Sequence, residues 1–389
     1  MVDALNNEAS AVTWSACGTI ACATLAVPLD HAQPTGGTVS LRVFGHASAS
    51  GRAEDVLVLV GDRDTGMSAR DLVREAPLTF GGDILRYSVI SLAVRGSAEA
   101  PVPADDALHT GTLDVVDDLE ILVRSLGVPR VRVIGWGNGA TIAAAWVMTH
   151  PESVSAAVLD TPADPSASFL RQGIARIGAL ARGAEATMRW CASHLSCPFN
   201  QETRMRWTEI LDGVDAGNGS AGLTRDAVDQ AGYASMMSGN PSELFLAVDE
   251  ARRDQPSKLN ALGASVPSPT DGSWTCADHR LSALRQIERE WAQTKWRWFE
   301  PGAFGDAYAR CISLGDAPRP LGALEPVAAA VGARVFVTLA RSDPTASVDA
   351  PFAMAKTMKW TYRSVRMARH LVVGHDRFIT ARALDFLRG

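Results

Sequence analysis

No apolar run approaches the roughly 18 residues of a membrane-spanning helix, so no membrane span is expected. No cluster of Lys or Arg is long enough for a nucleic-acid footprint, and the formal net charge is -6, which argues against a nucleic-acid partner. The N-terminal residues MVDALNNEAS offer neither a basic nor an apolar region, so no signal peptide is read there. Internal repeats and low-complexity stretches are also missing. What remains is an ordinary globular composition over 389 residues, 47% apolar and 21% charged, enough for one large domain with an insertion or for two domains.

Six cysteines are present. They fall into three plausible pairs, Cys17/Cys22, Cys191/Cys197 and Cys276/Cys311, although many connectivities are open to six cysteines. Neither short pair has the two-residue spacing usual for zinc, and no metal site is expected. Buried free thiols in a cytoplasmic enzyme are one reading. Three disulfides in an oxidising compartment are the expectation adopted here.

The hydrophobic pattern alternates between two periods. Residues 39–46 alternate like a strand, and 55–61, 86–94, 131–135 and 154–160 are β-branched apolar runs of the kind buried on both faces of a sheet. Residues 113–127 carry Val115, Leu119, Leu122, Val123 and Leu126 on one helical stripe and end at Gly127. Residues 138–150 form an Ala-rich helix. This succession predicts a mostly parallel sheet flanked by helices, with chemistry at the carboxyl ends of the strands.

From about 165 to 300 the apolar residues follow helical periods. Seven of the ten Trp lie between 146 and 298, and Trp274, Trp291, Trp296 and Trp298 are read as the core of a helical insertion rather than as a ligand box. The expected organisation is a first core part over 1–164, a helical cap over 165–300 and a second core part over 301–389. In the last part, 333–340 and the region near SVRMA read as strands, with helices through VDAPFAMAKTM and RFITARALDFLRG.

The most informative stretch is VRVIGWGNGA, residues 131–140. Gly135, Gly137 and Ala140 match a dinucleotide-binding turn, with Asp160 ending the next strand. Trp136 is bulky for such a loop, and a lone match is weak. The same stretch fits a nucleophile elbow, the strained strand-to-helix turn that mounts a nucleophile between small neighbours. Gly137 occupies the nucleophile's place. The elbow reading also requires an acid after a later strand and a His near the C-terminus, and Asp343 in TLARSDP and His375 in LVVGHD supply them. His370 is a nearby rival, but a Gly-His pair in a strand-to-helix loop favours His375.

At these residues the chain resembles secreted α/β-hydrolases of the tripeptidyl-aminopeptidase type. WSACGTIACATLAVPLDH, HPESVSAAVLDTPADP, RWCASHLSCP, the WTCADH and ARCISL segments, and SDPTASVDAPFAMAKTM with GHD carry the similarity. It implies an α/β-hydrolase fold with a helical cap, the three cysteine pairs as disulfides, Asp343 as triad acid and His375 as base. It implies peptide, ester or amide chemistry without a cofactor, and a secreted or extracytoplasmic location. The chain departs from that pattern in three places. Gly137 leaves the nucleophile position vacant. VGDRDTG replaces the Gly-rich oxyanion loop, bringing Asp62 and Asp64 near a place that should stabilise negative charge. Ala93-Val94-Arg95-Gly96 stands where the family has Asp-Pro-Arg-Gly.

Glycine has no side-chain oxygen and forms no acyl-enzyme. The first expectation is therefore a pseudo-hydrolase retained for binding or regulation, holding a peptide, a lipid, a small molecule or a protein partner in a cleft near Gly61, Asp62, Trp136 and Asn138. An enzyme using an Asp343–His375 dyad as general base is the alternative. So is a peptidase or esterase whose serine was replaced by Gly137. A nucleotide binder is a fourth reading.

Overall fold

The strand-forming runs line up because parallel strands buried on both faces need apolar side chains on both. In the computed structural model, which describes residues 5, 10–48, 55–217, 223–265, 276–294, 298, 311–322 and 324–389, nine strands share one sheet in the order β1-β2-β3-β5-β4-β6-β7-β8-β9. They are β1 (Ser15–Cys17), β2 (Ile20–Pro28), β3 (Thr38–His46), β4 (Val56–Val60), β5 (Ser88–Leu92), β6 (Val131–Trp136), β7 (Val154–Asp160), β8 (Val335–Ala340) and β9 (Thr361–Val365). The first three form an antiparallel meander, β3 meets β5 antiparallel, and every pairing from β5 to β9 is parallel. This is the topology of the α/β-hydrolase fold.

Four helices cover the central strands: α1 (Ala69–Phe80) packs near α11 (Arg377–Arg388), and α2 (Thr112–Leu126) packs on α3 (Asn138–Thr149). β4, β6 and β7 bury nearly every side chain. Gly127 closes α2 in the left-handed conformation, φ 67°, as its sequence position predicts.

Between β7 and β8 the chain forms helices α4 (Phe169–Ser193), α5 (Thr203–Asp215), α6 (Arg225–Ser238), α7 (Pro241–Ala251), α8 (Ser257–Gly263) and α9 (Leu281–Gln293). They enclose a hydrophobic cluster separate from the sheet core, containing Trp207, Tyr233, Phe245, Trp291 and Trp298. Trp274, Trp296 and residue 300, where the cap was expected to end, lie outside the described residues. α10 (Asp349–Met358) returns the chain to the sheet. Cys17–Cys22, Cys191–Cys197 and Cys276–Cys311 are disulfide-bonded. No helix among the described residues is long and apolar enough to cross a membrane.

The structure corrects one strand. β9 covers Thr361–Val365 rather than starting near Ser364, because Thr361 and Tyr362 pair with Phe336 and Val337 of β8. α1 and β2 escape a pattern reading. α1 carries Pro77 inside it, and β2 is built from Ala, Thr and Cys as much as from larger apolar residues.

Candidate active site

β6 runs into α3 through Gly137, whose φ of 52° and ψ of -116° place it in a region where residues with side chains are strained. Gly139 is required by close approach: a Cβ there would lie 2.2 Å from the Val60 carbonyl oxygen. The turn is therefore the sharp strand-to-helix elbow that its glycines predict. It has no nucleophile.

Another side chain fills that place. A Cβ added to Gly137 would lie 2.3 Å from Oδ1 of Asp62 and 2.5 Å from its Cγ. Asp62 follows β4, and the loop beyond it folds back so that the Thr65 N–H (3.1 Å) and hydroxyl (2.8 Å) donate to Asp62 Oδ2. That local turn, typical of Asp, aims the carboxylate at the elbow. Oδ1 accepts the Asn138 N–H at 3.0 Å, the donor next to the nucleophile position that an oxyanion would use in an active relative. The carboxylate is fully buried.

Oδ2 of Asp62 also lies 3.2 Å from Nε2 of His370, and Nδ1 of His370 lies 2.9 Å from Oδ2 of Asp343. Asp343 in turn accepts the Thr345 N–H at 2.8 Å and hydroxyl at 2.7 Å. An imidazole between two carboxylates satisfies both only by donating from both nitrogens, which makes it an imidazolium. Burial works against that charge, but Asp343 and Asp62, through charge and hydrogen bonds, hold the His370 pKa well above its usual value. Burial likewise pushes the Asp62 carboxyl up. His370, Asn138 and Thr65 outweigh it, and the pKa lies below the usual value. The site is a closed Asp62–His370–Asp343 array.

His370, not His375, partners Asp343. The loop after β9 is held from two sides: Met237 at the end of α6 accepts the His370 N–H, and the buried Asp160 carboxylate accepts the N–H groups of Val372 and Val373, each at 2.7 Å. Leu371 takes φ 63° between them. These ties set residue 370 over Asp343. Gly374, at φ 92°, then turns the chain outward, and His375 stands exposed next to Asp376, the N-cap of α11. Two signals were legible: His370 is followed by the apolar run Leu371-Val372-Val373, whereas His375 lies between Gly374 and a capping Asp. Asp160, the acid that ends the next strand in the dinucleotide reading, uses its carboxylate on this loop. Burial raises its pKa to about 7, against the pull of the two N–H groups.

Above the elbow lies a cavity of about 130 Å³, bordered by Gly137, Asn138, Thr161, Arg176, Asp278 and His370 among others. Of the residues expected to bind a ligand, only Asn138 reaches it. Asp62 lies below, inside the array. Trp136 is buried and donates from Nε1 to the Val373 carbonyl at 3.1 Å. Gly61 packs where a Cβ would meet Met67 and Leu72. The cavity is roofed from the helical side by α4, whose Arg176 pairs with Asp64 at 2.8 Å. Asp278, just before α9, accepts the N–H (2.6 Å) and hydroxyl (2.7 Å) of Thr112 at the start of α2. Arg95, on the altered family motif, is fully buried and bonds Asp118 from Nε at 2.7 Å, so it braces the scaffold away from the cavity. No group of metal-binding side chains occurs among the described residues.

A sequence profile for the α/β-hydrolase fold matches residues 68–208. The serine protease Hip1 of Mycobacterium tuberculosis is 26% identical over 94 residues, 24% of this chain and 18% of that protein. The proline iminopeptidase of Xylella fastidiosa is 34% identical over 74 residues, 19% of this chain and 23% of that protein. The matches thus span less than a quarter of these curated relatives. Among solved structures, the meta-cleavage product hydrolase of Pseudomonas fluorescens, 12% identical, aligns over 90% of this chain and 94% of its own with a TM-score of 0.46. A 2-hydroxy-6-oxo-6-phenylhexa-2,4-dienoate hydrolase of Rhodococcus, 13% identical, aligns over 95% and 100% with a TM-score of 0.47. At such values these two likenesses add nothing to the topology itself.

Proposed function

From a chain with the α/β-hydrolase fold and peptidase-related homologues, we propose a non-hydrolytic member of the tripeptidyl-aminopeptidase type, retained to bind a ligand in its cap-covered cleft. One observation carries this reading: the Asp62 carboxylate sits where a nucleophile's side chain would stand. There it occupies the Asn138 donor and the His370 Nε2 together. Attack on a carbonyl needs an unencumbered base nitrogen and an oxyanion site ready for negative charge. A carboxylate in that site opposes both. The general-base alternative weakens for the same reason, since each ring nitrogen of His370 already faces a carboxylate.

The cap, proposed to span residues 165–300, supplies Arg176 and Asp278 to the cavity, and the ligand is a peptide, a lipid or another small molecule held between cap and elbow. Three disulfides and a serine-protease relative support an extracytoplasmic location. A fluorophosphonate probe tests the proposal. Intact-mass analysis after incubation is expected to show unmodified protein, and stoichiometric labelling of any serine overturns it.

A further inference from the structure

The region just before the His370 loop has a charge character unlike the rest of the chain. Residues 356–369 contain Lys356, Lys359, Arg363, Arg366 and Arg369 and no acid, in a protein of net charge -6 whose lysines number four in all. Lys356, Lys359, Arg363 and Arg366 are exposed, as is Arg341 at the end of β8. Among the described residues none of these five takes part in an ion pair. Arg341 is oriented by a hydrogen bond from Nε to the Ser364 hydroxyl at 3.2 Å.

An exposed aromatic ring lies one helical turn from Lys356. Phe352 and Lys356 are four residues apart on one outward stripe of α10, and Lys359 is the C-cap of that helix, in the left-handed conformation at φ 56°. Phe352 is 49% exposed. Its ring packs edge-on against Tyr362 of β9, centroids 5.2 Å apart at 68°, which holds it outward. Asp349, one turn earlier on α10, is the acid on that side.

We propose that the outer stripe of α10 and the adjoining edge strand β9 form a docking surface for an anionic lipid bilayer. Basic residues on an edge strand also discourage pairing with foreign strands. That accounts for Arg363 but not for Phe352 and Lys356, which lie on α10, or for Lys359, its C-cap. Cations around an outward aromatic ring match the two layers of a bilayer surface: phosphate headgroups attract the cations, and the ring enters the boundary beneath them. A purely ionic partner offers the ring nothing.

The test is flotation of the whole protein with vesicles of phosphatidylcholine alone or mixed with phosphatidylglycerol. Binding is expected only to the mixed vesicles and is expected to fall as salt rises. Each basic side chain near an anionic surface contributes about fivefold in affinity, so the K356E/K359E/R363E variant should lose roughly a hundredfold or more. The Phe352→Ser variant should also weaken binding several-fold at unchanged net charge, and Phe352→Trp should show a blue-shifted emission on binding. These positions are on the surface, and circular dichroism verifies that each variant is folded. Equal association with both vesicle types, full binding by the triple variant, or no effect of Phe352→Ser overturns the proposal. So does binding to poly-glutamate without binding to the mixed vesicles, which would mark an acidic protein as the partner.

Discussion

Replacing His370 by Ala should destabilise the protein by about 3–5 kcal/mol, the usual cost of removing one partner from a buried ion pair. The imidazolium sits between two carboxylates whose side chains have no exposed surface, and its own is 2% exposed. Without it, Asp62 and Asp343 would be like charges left without their shared cation. Denaturant unfolding measures the loss. His375→Ala should change stability by no more than about 0.5 kcal/mol, as exposed positions do. Adding Asp62→Asn to His370→Ala should recover part of the loss, since it removes one stranded charge. Equal effects of the two histidine variants would refute the assignment.

The same array predicts a pH profile. The Asp62 pKa is lowered on folding, so its stabilisation is present above the ordinary carboxylate range near 3.8 and is lost as pH falls through the folded value. The His370 pKa is raised well above 6.5. Its contribution is complete below that unfolded value and is lost as pH rises through the folded one. Stability should therefore decline on the alkaline side of neutrality, and His370→Ala should flatten that limb.

The second large effect concerns Gly137. A serine there alone should destabilise the fold by about 1–3 kcal/mol, the common cost of overpacking, because its Cβ would meet the Asp62 carboxylate at 2.3 Å. It should give no hydrolysis. Combining Gly137→Ser with Asp62→Gly removes the obstruction, frees the Asn138 N–H and leaves His370, held by Asp343, facing the new hydroxyl. This double variant should react with a fluorophosphonate at residue 137 and hydrolyse activated esters roughly 10³-fold faster than the unmodified chain, the scale on which triad members act. Asp62→Gly alone should stay unlabelled. If Gly137→Ser alone proves as active as the double variant, Asp62 is not the obstruction.

Much of this architecture was legible because burial on both faces leaves a plain mark. β4, β6, β7 and the helix after the elbow appear as apolar runs, and the observed Val154–Asp160 strand coincides with its apolar run. β2 was not legible, because a strand with three Ala, one Cys and one Thr among nine residues lacks the bulky alternation on which a period-two reading depends. Asp343 could be placed by its position after a strand. The Gly-His motif pointed to His375 and the apolar run after His370 pointed the other way, while the choice itself is made by Asp160 and Met237, far away in the chain. Asp62 was visible as a charge near the elbow. Its inward aim depends on the turn with Thr65 and on His370, 308 residues away, and no local pattern encodes that contact.

The central claim is that a carboxylate stands in for the nucleophile and keeps the triad histidine charged. Nitrogen NMR of the imidazole rings, with His370 identified by its loss in His370→Ala, tests this most directly. Protons on both Nδ1 and Nε2 of His370 at pH values well above 6.5 are the predicted result. A ring that becomes neutral near 6.5, as a free imidazole does, would contradict it.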